Sequence, residues 1–174
     1  KTRAVIRPGE YAVIPPEGRV RNVIPGIEGC TMSIIASPKL GASFVQYVGT
    51  ALPGGGTVAP FAQEPGVEAF LYVMDGAGAL TAATCGQSEV LSPGGYVFSP
   101  AGKGLVFSNT TNAPVRFLLY KQRYTALPGH EAEAVFGNTA TMEERIYEDM
   151  ANVFIRDLLP THLGFDMNMH TLSF

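Results

Sequence analysis

Glu64 and Glu68 flank the turn-forming pair Pro65-Gly66 and are the carboxylates best placed for acid–base work. Paired carboxylates can hold an amine-bearing ligand or take a proton from one. They read equally as a solvated loop pair, because carboxylates are mostly exposed, and that plainer reading is preferred. Lys121 and Arg123 lie two apart on a run of strand-forming residues. They therefore share one face, where they suit an anion or, more plainly, surface salt bridges. The histidines, His130, His162 and His170, are scattered along the chain. A metalloenzyme built from them needs them to converge, since zinc ligands sit about 2 Å from the ion. Isolated histidines are otherwise structural or surface residues, despite their suitability as base or ligand. The low-order candidates for ligand contact are thus Glu64, Glu68 and Lys121, and no residue qualifies as catalytic. No Gly-x-Ser-x-Gly nucleophile turn occurs. Gly54-Gly55-Gly56 is not followed by Lys-Ser/Thr, so it reads as a loop and not as a phosphate cradle.

Composition limits what such residues can serve. The chain has 174 residues, 46% of them hydrophobic, which suffices for one full core with some extra segments. Charged residues make up 16% and form no long like-charge run, which argues against bulk disorder. The net charge of −3 offers no basic face to nucleic acid. Five of the 12 basic residues (Lys1, Arg3, Arg7, Arg19, Arg21) gather near the start, separated by Pro and Gly, and read as a solvated edge. No apolar run approaches the roughly 20 residues that span a bilayer, and no signal peptide is visible. Cys30 and Cys85 fit no zinc spacing and are too few for a disulfide scaffold. Reduced thiols in a cytoplasmic protein are the plain reading. The chain opens at Lys1 without a methionine, so an upstream segment is expected to be missing.

The elements that would position these residues are short strands. With 20 Gly and 13 Pro punctuating apolar runs, the pattern predicts an all-β sandwich or barrel. Strands are expected at 11–14, 31–36, 43–52, 69–74, 78–84, 96–99, 105–108 and 115–124. Pro53-Gly54-Gly55-Gly56 is expected to turn the chain, and Asp75-Gly76-Ala77-Gly78 to close a hairpin. Beyond Tyr124 the texture changes. Residues 125–140 look like loop, and Thr141 with Glu144 three residues on suggests the cap of a short helix. Residues 152–159 read as extended up to Pro160. Residues 165–174 alternate as a strand does, placing His170 on the face of Asp166, Asn168 and Leu172. A chain that stops within a strand, at Phe174, is expected to be a fragment.

Two glycine-framed stretches bear on chemistry. In 94–109, GGYVFSPAGKGLVFSN, the positions of Gly94, Pro100, Gly102 and Asn109 resemble the second motif of the cupin family. Gly56 and Gly76 frame a segment that resembles the first. In cupins these motifs carry metal ligands. The corresponding positions here are Ala62, Glu64, Ala69 and Leu105. Divalent sites need about three or four converging N, O or S donors, and Glu64 alone cannot supply them. The resemblance therefore implies a jelly-roll barrel with vestigial ligand positions and no metal.

More specific segments are PKLGASFVQY at 38–47, FLYVMDG at 70–76, LYKQRY at 119–124, LLP at 158–160 and GFDMNMH at 164–170. Together they resemble the (S)-ureidoglycine aminohydrolases of purine (allantoin) catabolism, over nearly the whole chain. That resemblance implies a bicupin with an N-terminal barrel lacking metal and a C-terminal barrel holding Mn2+ through Glu, His, His and Gln. On this reading, 1–126 is the metal-free N-terminal cupin barrel, 127–163 an inter-barrel linker and 164–174 the first strand of a second, truncated barrel. The chain would be non-catalytic scaffold, with no cofactor of its own. The second barrel would be its partner, a homo-oligomer its assembly, and small-molecule substrate the business of the full protein. The alternative is a metal-free cupin module that binds a small ligand in its own barrel.

Overall fold

Residues 3–174 are described by the computed structural model, and Lys1, one of the basic residues read as a solvated edge, lies outside them. The strands are β1 (Val5–Arg7), β2 (Tyr11–Val13), β3 (Ile27–Ala36), β4 (Phe44–Thr57), β5 (Val67–Gly76), β6 (Leu80–Thr84) and β7 (Gln87–Leu91). They continue as β8 (Gly95–Ser99), β9 (Val106–Ser108), β10 (Val115–Arg123), β11 (Val135–Asn138), β12 (Arg145–Ile146), β13 (Phe154–Asp157) and β14 (His170–Ser173). The main sheet runs β11-β8-β5-β10-β4-β9-β6-β7, with β3 on the other side of β4. It curls into the nearly closed barrel of the cupin fold. β1 and β2 form a separate hairpin, and β12, β13 and β14 a small antiparallel sheet. No helix among the described residues is long and apolar enough to cross a membrane.

Alternation along the central strands sorts side chains into two cores. Inside the barrel, Ala69, Leu71 and Val73 of β5 meet Phe117 and Leu119 of β10, Tyr47 of β4, and Phe107. On the outer face, Phe70, Tyr96 and Phe98 are covered by Leu158, Leu159 and Met167 from the C-terminal stretch. The segment expected to be one strand from 165 to 174 is therefore divided. Only His170–Ser173 pairs as β14, while Phe165, Met167 and Met169 pack on the outside of the barrel. The 127–163 stretch carries β11, which extends the main sheet beyond β8.

Two expected turns prove to be something else. β4 runs straight through Pro53-Gly54-Gly55-Gly56, so no turn ends it there. Glu28 of β3 pairs with Gly56 and Cys30 with Ala51, so residues 52–55 bulge opposite Gly29. A bulge re-aims a strand by taking extra residues out of the ladder. It carries β4 from β10 at one end to β9 at the other, where Gly56 pairs with Ser108, while β3 stays paired on both sides of the bulge. The glycines are needed because backbones nearly touch: a Cβ on Gly55 would meet the Gly29 carbonyl oxygen at 2.2 Å. Asp75–Gly78 likewise closes no hairpin. β5 pairs with β10 and β8, whereas β6 pairs with β7 and β9. The tight hairpin lies at Cys85-Gly86, with φ of 51° and 76°, both positive as a type I′ turn requires.

The expected helix cap at Thr141 also differs. A 3-10 turn spans Thr139–Thr141, and the capping side chain is Asn138, whose oxygen accepts from Ala140 N. Glu144 bonds instead to Arg156 and Ser173. Its carboxylate thereby joins β13 to β14, and the backbone enters β12 one residue later.

Candidate functional site

The positions where cupin ligands would stand are filled as core. Ala62, Ala69 and Leu105 are buried among the barrel's apolar side chains. Leu105 is held in register by two backbone hydrogen bonds with Phe61, each 2.8 Å. Beneath it, the buried hydroxyls of Thr84 and Ser99 lie 2.7 Å apart, each 2.9 Å from the Gly104 carbonyl oxygen. These polar atoms satisfy one another and offer nothing to the barrel interior. Among the described residues, no three His, Cys, Asp or Glu side chains come together in a group that could hold a metal ion.

Asn109, a motif residue read only through its spacing, has a structural task. Its buried amide donates to the carbonyls of Ala51 and Ala113 at 2.9 and 2.8 Å. Its oxygen accepts from both the backbone and the hydroxyl of Thr111. Its backbone exchanges hydrogen bonds with Gly54 and Gly55. One residue thus ties the β4 bulge through its backbone and the β9–β10 loop through its side chain.

Polar groups survive at the open end of the barrel. Lys121 faces inward one step beyond Leu119, in register with Val45 and Ala69. Its ammonium lies 3.4 Å from Glu64 Oε1 and 5.5 Å from the centre of the Phe61 ring. Glu64 is largely exposed, with 59% of its side chain accessible. A hydrogen bond from its own backbone holds its carboxyl below the usual range; partial desolvation opposes this and Lys121 assists it. Tyr47, edge-on to Phe61, has its phenol pushed up by burial and by the Glu64 charge. Glu64 and Lys121 border a recess of about 450 Å³ that includes Phe44, Val67 and Arg123. Lys121, Gln122 and Arg123 all line this recess.

Glu68 belongs elsewhere. It is not a solvated loop residue and does not face the barrel mouth. It is fully buried within β5, on the same alternate face as Phe70 and Tyr72. Oε1 accepts a 2.7 Å hydrogen bond from Gln122 Nε2, and Oε2 has no partner. Burial raises its carboxyl to about 7, with the Gln122 bond opposing and the Asp166 charge assisting. Asp166 is itself tied to Thr125 N at 2.9 Å. Extending the strand by two residues ahead of Ala69 would have placed Glu68 on this outer face from sequence alone. Asp166, whose charge reaches it from the C-terminal stretch, is nearly a hundred residues away and carried no such signal.

The histidines have separate environments. His162 meets Glu133 at 3.2 Å and packs edge-on against Phe165. His130 borders a shallow recess with Lys103, and His170 pairs opposite Asp157 in the small sheet.

The family comparisons agree with this geometry. A cupin-domain family model matches residues 50–120. The (S)-ureidoglycine aminohydrolase of Escherichia coli (strain K12) is 44% identical over 172 residues, covering 99% of this chain and 65% of that protein. A probable (S)-ureidoglycine aminohydrolase of Oryza sativa subsp. japonica is 28% identical over 174 residues, 99% of this chain and 53% of its own length. The crystal structure of protein Ylba from E. coli superposes with a TM-score of 0.88 at 40% identity, covering 97% of this chain and 66% of that one. The chain thus spans between 53% and 65% of the length of these two sequence relatives.

Proposed function

Because the chain belongs to the (S)-ureidoglycine aminohydrolase family of cupin proteins, we propose that it forms the non-catalytic N-terminal barrel of a manganese-dependent enzyme of that activity. The reaction converts (S)-ureidoglycine and water to (S)-ureidoglycolate and ammonia, a step of allantoin catabolism. The observation that carries the reading is the burial of Ala62, Ala69 and Leu105 where ligands would stand. Those residues do not fit a metal, so no step of the hydrolysis is derived through them. Manganese and the reacting groups would belong to a second cupin barrel, with which this region packs in a cytoplasmic homo-oligomer. Here the chain contributes rigidity: a filled core, a pinned β4 bulge and an outer face already covered by its own C-terminal stretch.

The test is metal content per chain after incubation with manganese and removal of the excess, alongside ammonia release from (S)-ureidoglycine. Manganese near zero and no release above the blank support a scaffold barrel. One tightly held manganese per chain, or metal-dependent release, overturns it.

The second reading is a metal-free cupin module with its own small ligand. The recess of about 450 Å³ beside Lys121 and Arg123 favours it, being within the size range of small-molecule sites. Saturable binding of (S)-ureidoglycolate by the wild-type chain, lost in Lys121→Met, would establish this role.

A further inference from the structure

The outer wall formed by β3, β4 and β10 carries a further recess, of about 160 Å³, away from the barrel mouth. Arg19, Arg21 and Arg116 border it, together with the hydroxyls of Thr31, Ser33 and Thr50. The geometry points to an oxyanion site here, taking a tetrahedral anion such as phosphate or the phosphoryl group of a small ester.

The site is built from the sheet outward. Thr31 pairs with Thr50 and Thr50 with Arg116, which sets two hydroxyls and a guanidinium in one row across three strands. Their chain neighbours Met32, Ala51, Val115 and Phe117 point the other way into the core, so alternation fixes the row on the outer face. The two remaining arginines arrive on the segment ahead of β3. That segment is strapped to β3 by Asn22, whose N–H donates to the Met32 carbonyl at 2.8 Å and whose side-chain oxygen accepts from Ile34 N at 3.0 Å.

Every polar side chain that lines the recess is a guanidinium or a hydroxyl. Arg19 Nε is shielded from solvent and has no hydrogen-bond partner. A buried donor without an acceptor is costly, and an anion in the recess would supply one. Asp75 takes one nitrogen of Arg116 at 2.8 Å, which orients that guanidinium and leaves its other N–H groups available. Three guanidiniums line the recess and no carboxylate does, so it is positive in a chain of net charge −3 and a dianion balances it better than a monoanion. Guanidinium forks match phosphate oxygens in pairs. Donors converging from the sheet and from the strap favour a tetrahedral group over a flat carboxylate. The volume suits an ion of a few heavy atoms, given about 30 Å³ for one water.

The experiment is calorimetric titration of the 174-residue chain at low ionic strength, where charge interactions are least screened. The probes are inorganic phosphate, glycerol 3-phosphate and acetate. Saturable one-to-one phosphate binding, weakened at least about tenfold in both Arg21→Gln and Arg116→Gln, is the expected result. Tighter binding of glycerol 3-phosphate assigns the site to a phosphoryl ester, and equal or weaker binding to the free ion. Arg21 is exposed, so its variant should fold even if changes at Arg19 or Arg116 disturb the wall. Lack of saturation by about 10 mM phosphate overturns the site. So does acetate bound as well as phosphate, or equal affinity in wild type and both variants.

Discussion

Gln122 donates a 2.7 Å hydrogen bond to Glu68 Oε1, while Oε2 of the same carboxyl stays buried with no partner. A dry carboxyl with one oxygen unmet is more stable protonated, consistent with its rise to about 7. The sign of the consequence follows from linkage. Below the unfolded value of 4.5 both states hold the proton and the contribution to stability is complete. It is lost as pH rises through about 7, by an amount on the order of 3 kcal/mol. Glu68→Gln removes the charge and keeps an oxygen for Gln122. The variant should melt several degrees above wild type at pH 8 and near or below it at pH 5. Thermal melts at the two pH values check this, and an equal difference at both would sink the idea.

Leu105 gives a test of the filled barrel. Leu105→Ala should cost about 2–5 kcal/mol, the range for emptying a core site that cannot fully collapse. Leu105→His should also destabilise, because an imidazole there is buried among apolar neighbours such as Ala62 and Ala69. Metal content should stay near zero in that variant, since one donor cannot make a site. Urea unfolding and elemental analysis report the two halves; a histidine variant that gained both stability and manganese would show that the interior is a dormant metal site.

Asn109 joins β4 to the β9–β10 loop through two donated bonds and two accepted ones. Asn109→Ala leaves the carbonyls of Ala51 and Ala113 without that donor in a buried setting. The expected loss is about 2–4 kcal/mol, more than for an ordinary hydrogen bond. Thr111→Ala removes one hydroxyl donor, shared between Asn109 Oδ1 and the Ala113 carbonyl, and keeps the backbone bond to Asn109, so it should cost less than Asn109→Ala, about 1 kcal/mol. Chemical denaturation of the two variants decides the matter: comparable losses would mean that the Asn109 amide is not what pins the bulge.

The barrel was legible from sequence because its cues are local. Gly94 and Pro100 bracket β8 at its two ends, Gly102 and Asn109 bracket β9, and Ala62, Ala69 and Leu105 announced an apolar interior. β5 and β10 followed from runs such as Phe70–Met74 and Val115–Tyr120. What stayed hidden depends on partners distant in the chain. Glu68 looked like a loop carboxylate although it lies inside β5, where Phe70, the next residue on the same face, is covered from residues 158–167. Pro53–Gly56 looked like a turn because its glycines answer to Gly29 and Phe107 across the barrel. Arg19 and Arg21 looked like a diffuse basic edge because Arg116, which joins them, is almost a hundred residues later. Cys85-Gly86 was passed over for a different reason: a hairpin turn with positive φ is usually signalled by Asn-Gly or Asp-Gly, and cysteine gives no such hint.

The two thiols should separate cleanly in reactivity. Cys85 is exposed at the tip of the β6–β7 hairpin, whereas Cys30 in β3 is half-buried and its thiol is raised by burial to about 11. At pH 8 a thiol of that value is ionised in only about one molecule in a thousand, and the thiolate is the reacting species. A disulfide reagent should therefore modify one thiol quickly and the other at least about a hundredfold more slowly. Cys85→Ser should abolish the fast phase and Cys30→Ser the slow one. Cys85→Asn should abolish the fast phase and also raise stability by a few tenths of a kcal/mol, because asparagine accepts the left-handed conformation that cysteine adopts there at φ 51°. Loss of stability in Cys85→Asn would mean that the side chain, and not the backbone of the turn, matters at the hairpin tip.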